Sequence, residues 1–185
     1  MHKIRSFLQN SSSGKMVFGF FILTNLVYGA ILGYTIPLVL SFSPDSILFD
    51  MSPTGYSYDQ AIQLLESLGA EGRYAYLTIQ IPLDFVYPAM FAVSYTLLLV
   101  WFFKRCLPVD SKLYLLTLFP VLAGLSDYLE NFGIIAMLND YPTVSEELVR
   151  TTSLFTVAKS GFTTLYFVIL LITLLFLLKK LLAKR

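Results

Sequence analysis

Residues 117–138, TLFPVLAGLSDYLENFGIIAML, form an apolar run broken once, by Asp127-Tyr128-Leu129-Glu130-Asn131. Helical spacing of about 100° per residue puts Asp127, Glu130, Asn131 and Ile134 on one face. The run is long enough to cross a bilayer, so it would carry two carboxylates and an amide into lipid. Ionisable groups are expensive there and mark a site by default. The spacing locates a site and names no reaction.

The composition agrees with a membrane setting. Of 185 residues, 56% are hydrophobic, 16% aromatic and only 14% charged. A soluble domain carries about 25% charge. The single cysteine, Cys106, excludes an internal disulfide and a Cys-rich metal site. His2 is the only histidine, which argues against a histidine-held haem or zinc and leaves oxygen ligands alone for a metal. No cofactor and no metal site are assigned. The basic residues fall at span ends, where topology accounts for them, so no nucleic-acid partner is expected.

Four spans follow from hydropathy, at about 16–40, 79–103, 113–138 and 152–178, each near or above the ~20 residues a crossing needs. The expected fold is an all-α membrane protein: a four-transmembrane-helix bundle forming a single domain over residues 1–185. Residues 1–15 read as a polar lead-in with a short interfacial helix at 4–8. The one long connection, residues 41–78, opens with turn formers. It then shows helical periodicity at Ala61, Ile62, Leu64, Leu65 and Leu68, with Ser57 as N-cap and Gly69 as stop. This short amphipathic helix should lie on the membrane surface or cap the bundle. In the first span Asn25, Tyr28 and Gly29 share a face that should turn toward other helices.

Lys3, Arg5, Lys15, Lys104, Arg105, Lys112, Lys179, Lys180, Lys184 and Arg185 fall on one side, and most acids fall on the other. The positive-inside rule then predicts a plasma (inner) membrane protein with cytoplasmic N- and C-termini. At about 1.5 Å per residue, Asp84, Asp127, Glu130, Asn131 and Lys159 reach one level in the outer half of the bilayer. Asp84 shares a stripe with Tyr87, Pro88, Phe91 and Tyr95. Lys159 shares one with Thr152, Thr156, Thr163 and Tyr166. Each stripe should turn inward, because hydrocarbon cannot satisfy polar groups.

Lys159 can neutralise one carboxylate while Asn131 and the tyrosines hydrogen-bond another. That leaves an acid without a counter-charge, a group suited to proton transfer. The candidate reactive residues are therefore Asp127, Glu130 and Asp84, with Asn131, Lys159, Tyr87, Tyr95 and Thr163 as ligand contacts. The leading expectation is a protein that binds or modifies a membrane lipid or lipophilic small molecule. A small proton- or ion-coupled carrier and a non-catalytic membrane subunit are the alternatives. A purely structural reading also stands, in which the polar groups fasten the bundle through buried hydrogen bonds.

Asp84-Phe85-Val86-Tyr87-Pro88 and Asp127-Tyr128-Leu129-Glu130-Asn131, with LGAEGRYAYL before them and Lys159 after, resemble a type of small four-span bacterial inner-membrane protein. The likeness covers most of residues 55–165 and implies a layout without a chemistry. In size, span number and intramembrane acids the chain is also loosely similar to the sterol-isomerase and sigma-2-receptor superfamily, whose histidines it lacks.

Overall fold

In a computed structural model, which describes residues 13–108 and 110–183, the chain is all-helical. The expected interfacial helix at 4–8 lies outside the described residues. Four helices are long and apolar enough to cross a membrane: α1 (Gly14–Leu40), α3 (Gly69–Cys106), α4 (Lys112–Asp140) and α5 (Glu146–Leu182). Between the first two lie a single 3-10 turn (Phe49–Met51) and the short helix α2 (Tyr58–Ser67).

Close contacts fix an antiparallel register between successive long helices. Thr24 donates to Met90 O at 3.3 Å, and Tyr28 stacks on Tyr87 with ring centroids 5.2 Å apart. Thr96 donates to Thr117 O at 3.1 Å. Phe119 meets Phe162 at one end of the α4–α5 pair, and Gly133 meets Thr152 at the other. Two glycines permit this packing. A Cβ on Gly124 would sit 2.8 Å from the Pro88 carbonyl oxygen, and one on Gly133 would collide with the Thr152 side chain. By contrast, Gly29 faces open space, which corrects the expectation for that residue, whereas Asn25 and Tyr28 reach α3 as expected.

α3 and α4 are central, and α1 and α5 are peripheral. In the most apolar window of each helix, 44% and 50% of residues are buried in the first pair, against 17% and 11% in the second. Two apolar cores result. One gathers Val39, Leu48, Leu65, Tyr76, Ile134 and Val149 at the loop end. The other gathers Phe91, Tyr95, Leu99, Phe103 and Tyr166 toward the end carrying both described termini. In sequence, Asp84, Asp127, Glu130, Asn131, Thr156 and Lys159 fall between the residues of the two cores.

The helices overrun the hydropathy limits. α3 begins at Gly69, ten residues before the expected span, and α5 begins at Glu146. Hydropathy registers the part suited to lipid, whereas backbone hydrogen bonding continues through EGRYAYLTIQ. Ser57 caps α2 as expected, in a reciprocal box with Gln60, and Gly69 supplies the left-handed residue (φ +62°) after it. Ala61, Leu64, Leu65 and Leu68 pack onto the loop-end core, so α2 caps the bundle.

Two π-helical turns interrupt the ladder, Ile31–Thr35 in α1 and Tyr76–Gln80 in α3. Each is followed by an Ile-Pro pair, Ile36-Pro37 and Ile81-Pro82. Proline brings no N–H to the carbonyl four residues back, and a widened turn accommodates that gap. The two turns are joined where the Thr35 hydroxyl donates to Gln80 Oε1.

Candidate functional site

Between the cores, one side chain from α5 ties together two from α4. Lys159 donates to Asp127 Oδ1 at 3.3 Å and forms an ion pair with Glu130 Oε2. Thr156, one turn earlier, donates to Glu130 Oε1 at 2.9 Å. Glu130 is thus enclosed by a lysine and a hydroxyl, with no exposed surface.

The α3 contribution depends on Pro88. A proline inside a helix leaves the carbonyl at i−4 without its donor, which here is that of Asp84. Asn131 Nδ2 supplies the missing bond at 3.3 Å. The Tyr128 hydroxyl donates to the next carbonyl, Phe85 O, at 2.9 Å. These two bonds dock α4 onto α3 at the proline. They do so beside the Asp84 carboxyl, which is 6% exposed and whose Oδ2 has no hydrogen-bond partner among the described residues.

A fourth acid arrives from the connection. The turn at Phe49–Met51 folds back so that Asp50 Oδ2 accepts from the Tyr76 hydroxyl at 2.9 Å and from Gln80 Nε2 at 3.3 Å. Phe49 packs between Tyr56 (centroids 4.8 Å apart, rings tilted by 47°) and Tyr76 (6.2 Å, stacked), which holds the turn against the bundle. Asp50 is not among the site residues that the sequence singles out. The available signal was Gln80, an amide within an apolar segment and in need of a partner.

Asp50, Gln80, Asp84, Asp127 and Lys159 line a cavity of about 420 Å³. Beyond it, a second space of about 700 Å³ runs between α1, α3 and α5, past Asn25 and Tyr95 to Trp101 and Leu174. Tyr28, Tyr87, Phe91 and Thr163 line both, so the two spaces adjoin. The first sets three acids and Lys159 into a mainly apolar wall, and the second is largely aromatic and aliphatic.

The expected site residues therefore divide. Asp84, Asp127, Lys159, Tyr87 and Thr163 reach the cavity. Glu130 and Asn131 do not: both are fully buried behind its wall, held by Lys159 and Thr156 and by the Asp84 carbonyl respectively. Tyr95 lies in the apolar space, where its hydroxyl donates to Asn25 Oδ1 at 3.4 Å and its ring stacks on Phe91. Among the described residues no group of three acids, histidines or cysteines converges as a metal site would require.

The fold and these spans define a multi-pass, all-helical membrane bundle. Comparison with family models, curated proteins and solved structures gives no match, so the site is interpreted from its own geometry.

Proposed function

We propose that this protein binds a lipid or other lipophilic amphiphile. The polar end of the ligand would sit in the Asp84–Asp127 cavity and its apolar chain in the adjoining aromatic space. The observation that carries this reading is the junction itself, where Tyr28, Tyr87, Phe91 and Thr163 face both compartments. Ligand cavities are characteristically apolar with a few converging polar groups, and they often lie between the helices of a bundle. The peripheral placement of α1 and α5 would let a ligand enter sideways from the bilayer.

The orientation belongs to the same proposal. Lys15, Lys104, Arg105, Lys112, Lys179 and Lys180 cluster at the end carrying both described termini. The positive-inside rule makes that end cytoplasmic in a plasma (inner) membrane, so the acid cavity is nearer the outer face. A carrier draws less support, because beyond Tyr95 the groove is lined by Leu98, Phe102, Leu170 and Leu174 rather than by a relay of ionisable groups.

The test is organic extraction and mass spectrometry of detergent-purified wild type, Asp84→Asn and Asp127→Asn. The proposal expects one amphiphile class retained by the wild type and depleted in both variants, with circular dichroism unchanged. Equal lipid content in three equally folded proteins would overturn it.

A further inference from the structure

We infer that the polar end of the ligand is a hydrogen-bond donor without negative charge, received by the Asp50 and Asp84 carboxyl groups that line the cavity. This rests on the ligand-binding reading above and assigns Asp50 a contact role. Four carboxyl groups and one lysine gather at this level. The lysine is already committed to Asp127 and Glu130. The two remaining acids are not equivalent to that pair. Asp84 lines the cavity, and its Oδ2 is buried with no partner among the described residues. Asp50 is anchored through Oδ2 alone, and its Oδ1 is likewise buried without a partner.

Both orphaned atoms are acceptors, and leaving such groups buried and unmet is costly. Asp50 and Asp84 both line the cavity, so a ligand head bearing N–H or O–H groups is the kind these carboxyls can engage. An anionic or phosphate headgroup would add acceptors and like charge to a site whose sole basic lining residue, Lys159, is already paired. An ammonium and a polyol share the required chemistry.

Asp50 is also pre-positioned. Its carboxylate is fixed by Tyr76 and Gln80, and Gln80 is in turn fixed by Thr35 across the two π-helical turns. Preorganised acceptors of this kind select among headgroups rather than adapt to them.

The experiment uses the full chain in an amine-oxide detergent, whose head carries no N–H or O–H, with four probes of one chain length: dodecylamine, monolaurin, methyl laurate and dodecyl phosphate. Binding is read by thermal stabilisation over a concentration series. The inference expects dodecylamine, monolaurin or both to bind about tenfold to a hundredfold more tightly than methyl laurate and dodecyl phosphate. That margin should collapse in Asp84→Asn and in Asp50→Asn. Which donor wins distinguishes an ammonium from a polyol ligand. Methyl laurate or dodecyl phosphate binding as well as the donors, or a margin that survives both substitutions, would overturn the inference and leave the binding reading in place. No stabilisation by any probe would overturn both. If either variant fails to fold, the comparison among probes in the wild type decides alone.

Discussion

Asn131 Nδ2 donates to the backbone carbonyl of Asp84 at 3.3 Å, the carbonyl that Pro88 leaves without a helical donor. A carbonyl that the proline would otherwise leave unmet thereby becomes the point where α4 docks on α3. Replacing Asn131 with Leu should destabilise the protein by about 1–3 kcal/mol. Pro88→Ala restores an N–H to Asp84 O, so the double variant should lose less than the two single losses added together. Unfolding in mixed micelles measures all four proteins of the cycle; strict additivity would separate Asn131 from the proline.

Lys159 is the counter-charge for both α4 acids. Lys159→Met should cost about 3–5 kcal/mol, because removing one partner leaves buried charge uncompensated. Adding Asp127→Asn and Glu130→Gln to it should recover most of that loss. The same unfolding assay checks this, and an undiminished loss in the triple variant would show that packing of the lysine stem matters more than its charge.

The glycines divide by environment. Gly124→Ala and Gly133→Ala each place a methyl group against packed atoms of a neighbouring helix, and each should cost about 1–3 kcal/mol. Gly19→Ala and Gly29→Ala meet nothing within 4 Å and should be neutral or stabilising, by up to about 1 kcal/mol. Melting temperatures of the four variants test the register of α3, α4 and α5 directly.

Tyr76→Phe removes one of the two donors that fix Asp50, while Phe49 still packs on the ring. Its global stability should fall by about 0.5–1.5 kcal/mol. Labelling of a Met51→Cys reporter by a membrane-impermeant maleimide should quicken as the turn loosens. Unchanged labelling would mean that stacking alone holds the turn.

The sequence carried much of this arrangement because membrane helices leave strong periodic signals. Asp127, Glu130 and Lys159 were predicted to meet from shared faces and matched depths, and they do. Ser57 and Gly69 marked the limits of α2 through local backbone chemistry. Facing inward did not reveal which side chains front a cavity. Glu130 and Asn131 share the Asp127 face yet pack behind it, because Thr156 and the Asp84 carbonyl engage them first. Asp50 was hidden for a different reason. Its position depends on Phe49 packing with Tyr56 and Tyr76, tertiary contacts that have no periodicity in the chain.

The central claim is that the acid cavity and the aromatic groove hold one amphiphile. A density map of the wild-type protein in lipid nanodiscs tests it most directly. The account predicts elongated density whose head lies beside Asp84 and Asp50 and whose tail passes Tyr87 and Tyr95 toward Trp101. A map with the groove closed by its own side chains, or filled by a helix of a second copy, would contradict it.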